Sequence, residues 1–222
     1  GDVGCIHVGN AFGELFIGQA QLGAMPATVH PQLWGVPASR HEAACASGGV
    51  AILSAMADLE AGRYDCALVL GAEQQRNVPG DVAAQHLGAA AWVGHEGQGC
   101  RYMWPHMFAR LGDEYERRYG LSRQHLSRLA EKNFANARRN PKAQTRAWRF
   151  GPEAFGESEQ ANPVIEGRIR RQDCAQLTDG AAGLVLASAG FAATWAQRHG
   201  RALFKLPRVL GWGHRTAGLP LA

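Results

Sequence analysis

The chain has 222 residues, 46% of them hydrophobic, which is enough to bury a sizeable core in one large domain. Its formal net charge is +4, and the basic excess is almost all arginine, in small groups rather than one long basic block. Such groups are typical of a solvated surface or, secondly, of a site for a phosphate-bearing small ligand. Without an extended basic patch, we expect no nucleic-acid partner.

The cysteines are odd in number and widely spaced, and none belongs to a CxxC pair. They are Cys5, Cys45, Cys66, Cys100 and Cys174. This distribution is typical of a reducing compartment. The first residues lack the pattern of a signal peptide, and no apolar stretch approaches the roughly 20 residues of a membrane span. We therefore expect a cytoplasmic protein without a membrane span.

The predicted elements start with a short strand at residues 5–8 and a glycine-punctuated segment that follows it. The clearest pattern lies further on, where a helix at 47–62 is followed by a strand at 66–71. The continuous apolar run of that strand is typical of a central strand buried on both faces in a parallel sheet. Strand, helix and strand in this order predict a βαβ unit.

The remaining chain predicts a loop, helices and further strands. Residues 73–99 show little periodicity and are interpreted as loop, whereas 107–119 and 122–139 are predicted helices, the second with Ser122 as N-cap. An irregular stretch covers 141–163, and a strand is predicted at 165–170. A turn at 178–180, a buried strand at 182–187, a helix at 189–199 and a last strand at 206–213 complete the set.

Cys45 lies within RHEAACASGG, residues 40–49, among small residues and directly before the predicted helix. A thiol at a helix start lies near unpaired backbone N–H groups and the positive end of the helix dipole, and both favour the thiolate. The pattern therefore predicts a nucleophile. The alternative is a small buried cysteine without a chemical role, and the local pattern favours neither.

Three histidines, His7, His95 and His106, lack metal-ligand spacing to any cysteine or carboxylate. The sequence therefore predicts no metal site. His41 lies four residues before Cys45, which is roughly 13 Å along an extended chain. We expect His41 to be a hydrogen-bonded structural histidine rather than the catalytic partner of Cys45.

The block RHEAACASGGVAILSAMADLEAGRYDCALVLGAE resembles the nucleophile region of the thiolase family, in the branch of sterol-carrier-protein thiolases and acetyl-CoA acetyltransferases. The segments IHVGNAFGELFIGQAQLG, CAQLTDGAAGLVLAS and VLGWGHRTAG agree with the family in the same order. The resemblance implies an α/β, layered fold with a mixed, mostly parallel sheet and a buried nucleophile helix. It covers the family's N-terminal half over residues 1–222, with an inserted loop region at about 74–163 and the C-terminal domain absent from the chain.

The same resemblance implies an acyl-CoA acyltransferase in which Cys45 attacks a coenzyme A thioester and holds the acyl group. The backbone N–H of Cys45 would help to bind the oxyanion. Family members place the catalytic histidine and a second cysteine in the other half, so Cys45 is the one catalytic residue assigned. No permanently bound cofactor is implied, and the coenzyme A contacts stay unknown.

The implied partners are acyl-CoA and either a second copy, as a homodimer, or a chain that supplies the C-terminal half. Two alternatives stay open: a catalytically incomplete thiolase-like binding or partner subunit, and a related condensing enzyme of the superfamily. Met103, Trp104 and Met107 could border an acyl pocket, although such residues are more often core. Cys66 and Cys174 are expected to be buried and unreactive.

Overall fold

The computed structural model describes residues 2–219, and these fall into two compact units. The first unit contains residues up to Asn77 together with Asp179–Ala217, and the second contains Val78–Thr178. Over residues 2–219, no helix combines the length and the apolar character needed to cross a membrane.

The first unit is built from two stretches of the chain that are separated in sequence by residues 78–178. Its strands are β1 (Cys5–Gly9), β2 (Ala38–His41), β3 (Cys66–Glu73) and β6 (Gly180–Ala187), and its helices are α1 (Gly13–Ile17), α2 (Met25–Val29), α3 (Ser47–Glu60) and α7 (Ala189–Arg198). The second unit contains α4 (Gly80–Gly88), α5 (Met103–Tyr119), α6 (Arg123–Arg139), β4 (Val164–Glu166) and β5 (Ile169–Arg170).

The sheet of the first unit has the strand order β2-β1-β3-β6. Strand β1 pairs in parallel with both β2 and β3, whereas β6 pairs antiparallel with β3. Helix α3 connects β2 to β3 and packs on the sheet. The predicted fold class, an α/β protein with a mixed and mostly parallel sheet, is therefore confirmed.

Helix α3 packs through a stripe of small residues. Ser47, Ala51 and Ala55 are buried at a spacing of four, which places them on one helical face. Ala51 and Ala55 form a core cluster with Cys5 of β1 and with Ala67 and Val69 of β3. The small side chains bring the helix axis close to the sheet.

The closest approach lies between β1 and the first turn of α3. A Cβ added to Gly9 would lie only 2.7 Å from the Cα of Gly48 and 2.8 Å from its backbone nitrogen. Real Cβ atoms essentially never come this close to another heavy atom. A glycine at position 9 is therefore what allows the start of the helix to rest on the strand.

The central strands differ in how deeply they are buried. All five residues of β1 are buried, while β3 alternates between buried positions and the half-buried Leu68 and Leu70. The strand predicted at 182–187 forms as part of β6, but its expected burial is wrong: seven of its eight residues, including Val185, are exposed. It is the outermost strand of this sheet, so only one of its edges has a strand neighbour.

The second unit contains a helix where the sequence predicted a loop. Residues 80–88 form α4, which packs against α5, and a Cβ added to Gly88 would come into van der Waals contact with Met103. Helix α5 begins at Met103, four residues earlier than predicted. Contacts with another helix stabilise α4, although its own sequence is weakly periodic.

Other boundaries also differ from the predictions. Helix α6 has Ser122 at its N-cap position, but the side chain makes no capping hydrogen bond. The strand predicted at 165–170 is an antiparallel pair, β4 and β5, which turns at Gly167 with a φ of +51°. Residues 178–180 form no turn; instead, the Asp179 carboxylate accepts hydrogen bonds from the backbone of Gln75 and Arg76.

The last predicted strand, at 206–213, does not form. A short 3₁₀ turn at Leu203–Lys205 is followed by chain without regular structure. Strands need a neighbour for their backbone N–H and C=O groups, and within residues 2–219 no strand pairs with this segment. Apolar residues alone therefore do not make this segment a strand, because it also needs a neighbouring strand.

The contact between Gly9 and α3 gives a test of the packing. We expect Gly9→Ala to destabilise the protein by about 1–3 kcal/mol, because the new methyl group meets backbone that cannot move aside. Gly48→Ala is the matched control, since its Cβ would have no heavy atom within 4 Å and alanine favours helix by up to about 1 kcal/mol. Urea denaturation followed by circular dichroism measures both. Equal destabilisation by the two substitutions would contradict the close-packing explanation.

Candidate active site

The candidate site lies in the connection from β2 to α3. Strand β2 ends at His41, a 3₁₀ turn covers Ala44–Ala46, and α3 starts at Ser47. Since β1, β2 and β3 run in parallel, this connection lies at their carboxyl edge, where α/β proteins place their binding sites. The predicted position of Cys45, in a tight turn before a helix, agrees with this geometry.

The turn is held by the side chain of Ser47. Its buried hydroxyl accepts a hydrogen bond from the Ala43 N–H at 3.0 Å and donates one to the Ala44 carbonyl at 2.6 Å. The backbone adds a hydrogen bond from the Ala46 N–H to the Ala43 carbonyl at 2.9 Å. Two residues on either side of Cys45 are therefore fixed in place.

Ala44 has an unusual backbone conformation. Its φ is +48°, in the left-handed region that costs a residue with a Cβ roughly 1–2 kcal/mol. The hydrogen bonds of Ser47 hold the chain in this conformation. The result is a sharp turn that places Cys45 at the surface of the first unit, where its side chain is exposed.

The ring nitrogens of His41 lie close to side chains other than that of Cys45. Its Nε2 lies 2.9 Å from Nδ1 of His7 and 2.9 Å from Oγ of Ser39, and its Nδ1 lies 3.3 Å from Oγ of Ser54. The two imidazole rings stack with their centroids 5.1 Å apart. The prediction that His41 is a hydrogen-bonded histidine is confirmed.

The network continues from His7 into the core beneath α3. Nε2 of His7 lies 3.5 Å from Sγ of Cys5 and 3.3 Å from Oδ2 of Asp58. Burial lowers the pKa of His7, and neighbouring His41 lowers it further, against the opposing effect of Asp58. Burial also lowers the pKa of His41. Both imidazoles are therefore neutral at pH 7.

Burial reduces the nucleophilic character of Cys5, Cys66 and Cys174. Burial raises the pKa of the Cys5 thiol, and the negative charge of Asp58 raises it further. Burial likewise raises the pKa of Cys66, which is buried, and of Cys174, which is only half-buried rather than buried as predicted. Of these thiols and that of Cys45, only Cys45 is exposed to an incoming substrate.

The grouping of Cys5, His7 and Asp58 is not apparent from the sequence, in which His7 lacks metal-ligand spacing. Ligand atoms of these three residues lie within 4.8 Å of one another. A signal was present: Cys5 and His7 share one face of a strand, and Asp58 continues the buried helical stripe of Ala51 and Ala55. A carboxylate on an apolar helical stripe indicates a polar or charged partner beneath the helix.

Met103, Trp104 and Met107 belong to α5 in the second unit. Met107 is buried, and Nε1 of Trp104 donates a hydrogen bond to the Leu87 carbonyl at 2.8 Å. These contacts are those of core residues within that unit. A role beside an acyl group stays a prediction.

Residues 1–147 match the family model for the thiolase N-terminal domain. The chain is 29% identical to an acetyl-CoA acetyltransferase of Methanothermobacter thermautotrophicus over 86% of its length and 48% of that protein. It is 30% identical to an acetyl-CoA acetyltransferase of Methanocaldococcus jannaschii over 85% of its length and 46% of that protein. Human sterol carrier protein 2 is 26% identical over 83% of this chain and 33% of its own length. The chain thus spans about half the length of the archaeal relatives.

The role of Ser47 in the turn can be measured. We expect Ser47→Ala to destabilise the protein by about 1–3 kcal/mol, because the Ala43 N–H and the Ala44 carbonyl both lose a partner. Amide hydrogen exchange at Ala43 should become faster. Because the same turn holds Cys45, the alkylation rate of Cys45 should also differ from that of the wild type. Ser54→Ala, on the same helix, serves as control. Unchanged exchange at Ala43 in Ser47→Ala would show that other contacts hold the turn.

Proposed function

The chain belongs to the thiolase family, and from that premise we propose that it carries the nucleophile of an acyl-CoA acyltransferase. The observation that supports this most directly is the exposed Cys45 at the tip of a constrained turn, two residues before a 14-residue helix. The unpaired N–H groups of the first turn and the helix dipole would stabilise negative charge beside the sulfur. The archaeal relatives named acetyl-CoA acetyltransferase support the same reaction class.

In the proposed reaction, Sγ of Cys45 attacks the carbonyl carbon of an acyl-CoA thioester. A bond forms between this carbon and Cys45, and the carbonyl oxygen becomes an oxyanion that the Cys45 N–H would bind. When the oxyanion collapses, the bond to the coenzyme A sulfur breaks, and the thiol proton of Cys45 ends on coenzyme A through a general base. The acyl group stays on Cys45 until a second acceptor takes it.

The general base has to come from outside the Cys45 turn. His41 is the histidine nearest to Cys45 in sequence, and its two ring nitrogens face His7, Ser39 and Ser54. We therefore assign Cys45 alone as catalytic among the described residues and expect the base from the C-terminal half, where members of the family place the catalytic histidine. We also propose assembly as a homodimer or with a chain that supplies the C-terminal half. The five free cysteines favour a cytoplasmic location.

The contacts of both His41 ring nitrogens with other side chains also favour a second candidate function. Without a base, the chain would bind acyl-CoA or a partner chain as a catalytically incomplete subunit. A related condensing enzyme of the superfamily would use the same acyl-cysteine step with a different acceptor. In each case acyl-CoA is the proposed ligand, with no permanently bound cofactor.

Intact-protein mass spectrometry after incubation with acetyl-CoA tests the proposal. We expect one acetyl group on the wild-type chain and none on Cys45→Ala, because only this exposed thiol is positioned to accept it. Cys66→Ala is the matched control and should retain the adduct, since Cys66 is buried in β3.

The rate of alkylation by iodoacetamide provides the second measurement. We expect Cys45 to react faster than a cysteine in a short unstructured peptide at the same pH. No adduct together with a peptide-like alkylation rate would contradict nucleophilic activation in this chain and favour the incomplete subunit. An acetyl adduct with slow release would support the acyl-cysteine step without turnover.

A further inference from the structure

Beneath α3, the first unit holds a group of three potential metal ligands that does not include Cys45. Cys5 and His7 lie on β1 and are 3% and 5% exposed, and Asp58 lies near the end of α3 with its side chain 21% exposed. Each offers one ligand atom, and these three atoms lie within 4.8 Å of one another. The group differs from an acidic surface cluster, because it combines a thiol, an imidazole and a carboxylate in a mostly buried position.

The distances within the group match those between ligands of one tetrahedral zinc ion. With zinc bonds of about 2.3 Å to sulfur and about 2.0–2.1 Å to nitrogen and oxygen, tetrahedral angles separate sulfur from nitrogen by about 3.6 Å and nitrogen from oxygen by about 3.4 Å. The observed separations are 3.5 Å between Sγ of Cys5 and Nε2 of His7, and 3.3 Å between Nε2 and Oδ2 of Asp58. A zinc ion would therefore fit without rearranging either pair.

Hydrogen bonds and an ion pair leave one ligand atom of His7 and one of Asp58 available to a metal ion. Nδ1 of His7 lies 2.9 Å from Nε2 of His41, so it can donate its proton there and leave the lone pair of Nε2 for a metal. Nδ1 of His41 can in turn donate to Oγ of Ser54 at 3.3 Å. On the other ligand, Oδ1 of Asp58 is held by Arg63 at 3.0 Å, which leaves Oδ2 facing His7.

We propose that Cys5, His7 and Asp58 form a zinc site that connects β1 to α3. A thiolate and a carboxylate together carry two negative charges, so one divalent ion with a neutral imidazole gives a neutral cluster in this buried place. Mixed sulfur, nitrogen and oxygen ligands suit zinc and cobalt rather than magnesium or calcium, which take oxygen ligands. A water molecule or a small ligand would take the fourth position of the ion.

Such an ion would act as a structural cross-link under the helix that presents Cys45. Cys5 and His7 belong to the strand on which α3 rests, and Asp58 lies on the helix itself. Binding to the folded state alone stabilises it by mass action. The inference does not depend on the acyl transfer proposed above, since neither Cys45 nor acyl-CoA takes part.

The test uses untagged protein, stripped with a chelator and titrated with Zn²⁺ in competition with a chromophoric chelator. We expect one zinc per chain and, with free zinc about a hundredfold above the Kd, a Tm higher by on the order of 5–10 °C. Titration with Co²⁺ should give a sulfur-to-cobalt charge-transfer band in the near ultraviolet. That band reports the thiolate ligand directly.

Variants decide which residues bind the ion. We expect Cys5→Ser to lose the cobalt charge-transfer band, and Cys5→Ser, His7→Gln and Asp58→Asn each to weaken zinc binding at least tenfold. Cys66→Ser is the matched buried control and Cys45→Ser the exposed one, and both should bind like the wild type. Circular dichroism verifies that each variant folds. If Cys5→Ser does not fold, the zinc affinity of Asp58→Asn becomes the deciding measurement, because Asp58 is the least buried ligand. Absence of one-to-one binding, or unchanged affinity in Asp58→Asn, would overturn the proposal.

Discussion

The structure of the first unit depends on how closely α3 lies against β1. The added-Cβ distance of 2.7 Å between Gly9 and Gly48 shows that the two backbones are nearly in contact at the start of the helix. Ala51 and Ala55 continue this close packing along the helix, and both are fully buried. Larger residues along this stripe would lift the helix from the sheet and move both of its ends.

The two proposed sites lie at opposite ends of α3, and the close packing of the helix on β1 positions both of them. At the N-terminal end, Gly9 lies under Gly48, and Ser47 holds the turn that exposes Cys45. Towards the other end, Asp58 reaches His7, two residues before Gly9 on the same strand. The helix therefore runs back along β1. A displacement of α3 would therefore change the position of the exposed Cys45 thiol and the distances within the buried ligand group at the same time.

The sequence predicted the elements that carry strong local patterns and missed those that depend on distant contacts. β1, α3 and β3 follow from continuous apolar runs and small-residue spacing, whereas α4 depends on packing against α5. The turn at Cys45 was predicted because its neighbours in sequence form it, whereas the catalytic role of Cys45 stays a prediction. The group of Cys5, His7 and Asp58 was missed because β1 and the end of α3 meet only in the folded chain.

The cysteines of this chain show why residue type alone does not assign a role. Cys5 and Cys45 belong to the same unit, yet burial and the charge of Asp58 raise the pKa of Cys5, whereas Cys45 is exposed. A buried thiol beside an imidazole and a carboxylate gains most from a cation that replaces its proton. An exposed thiol at a helix start gains instead from backbone N–H groups, which leave it free to attack a substrate. The same helix thus carries a buried group of potential metal ligands near one end and, directly before the other, an exposed thiol proposed as the nucleophile.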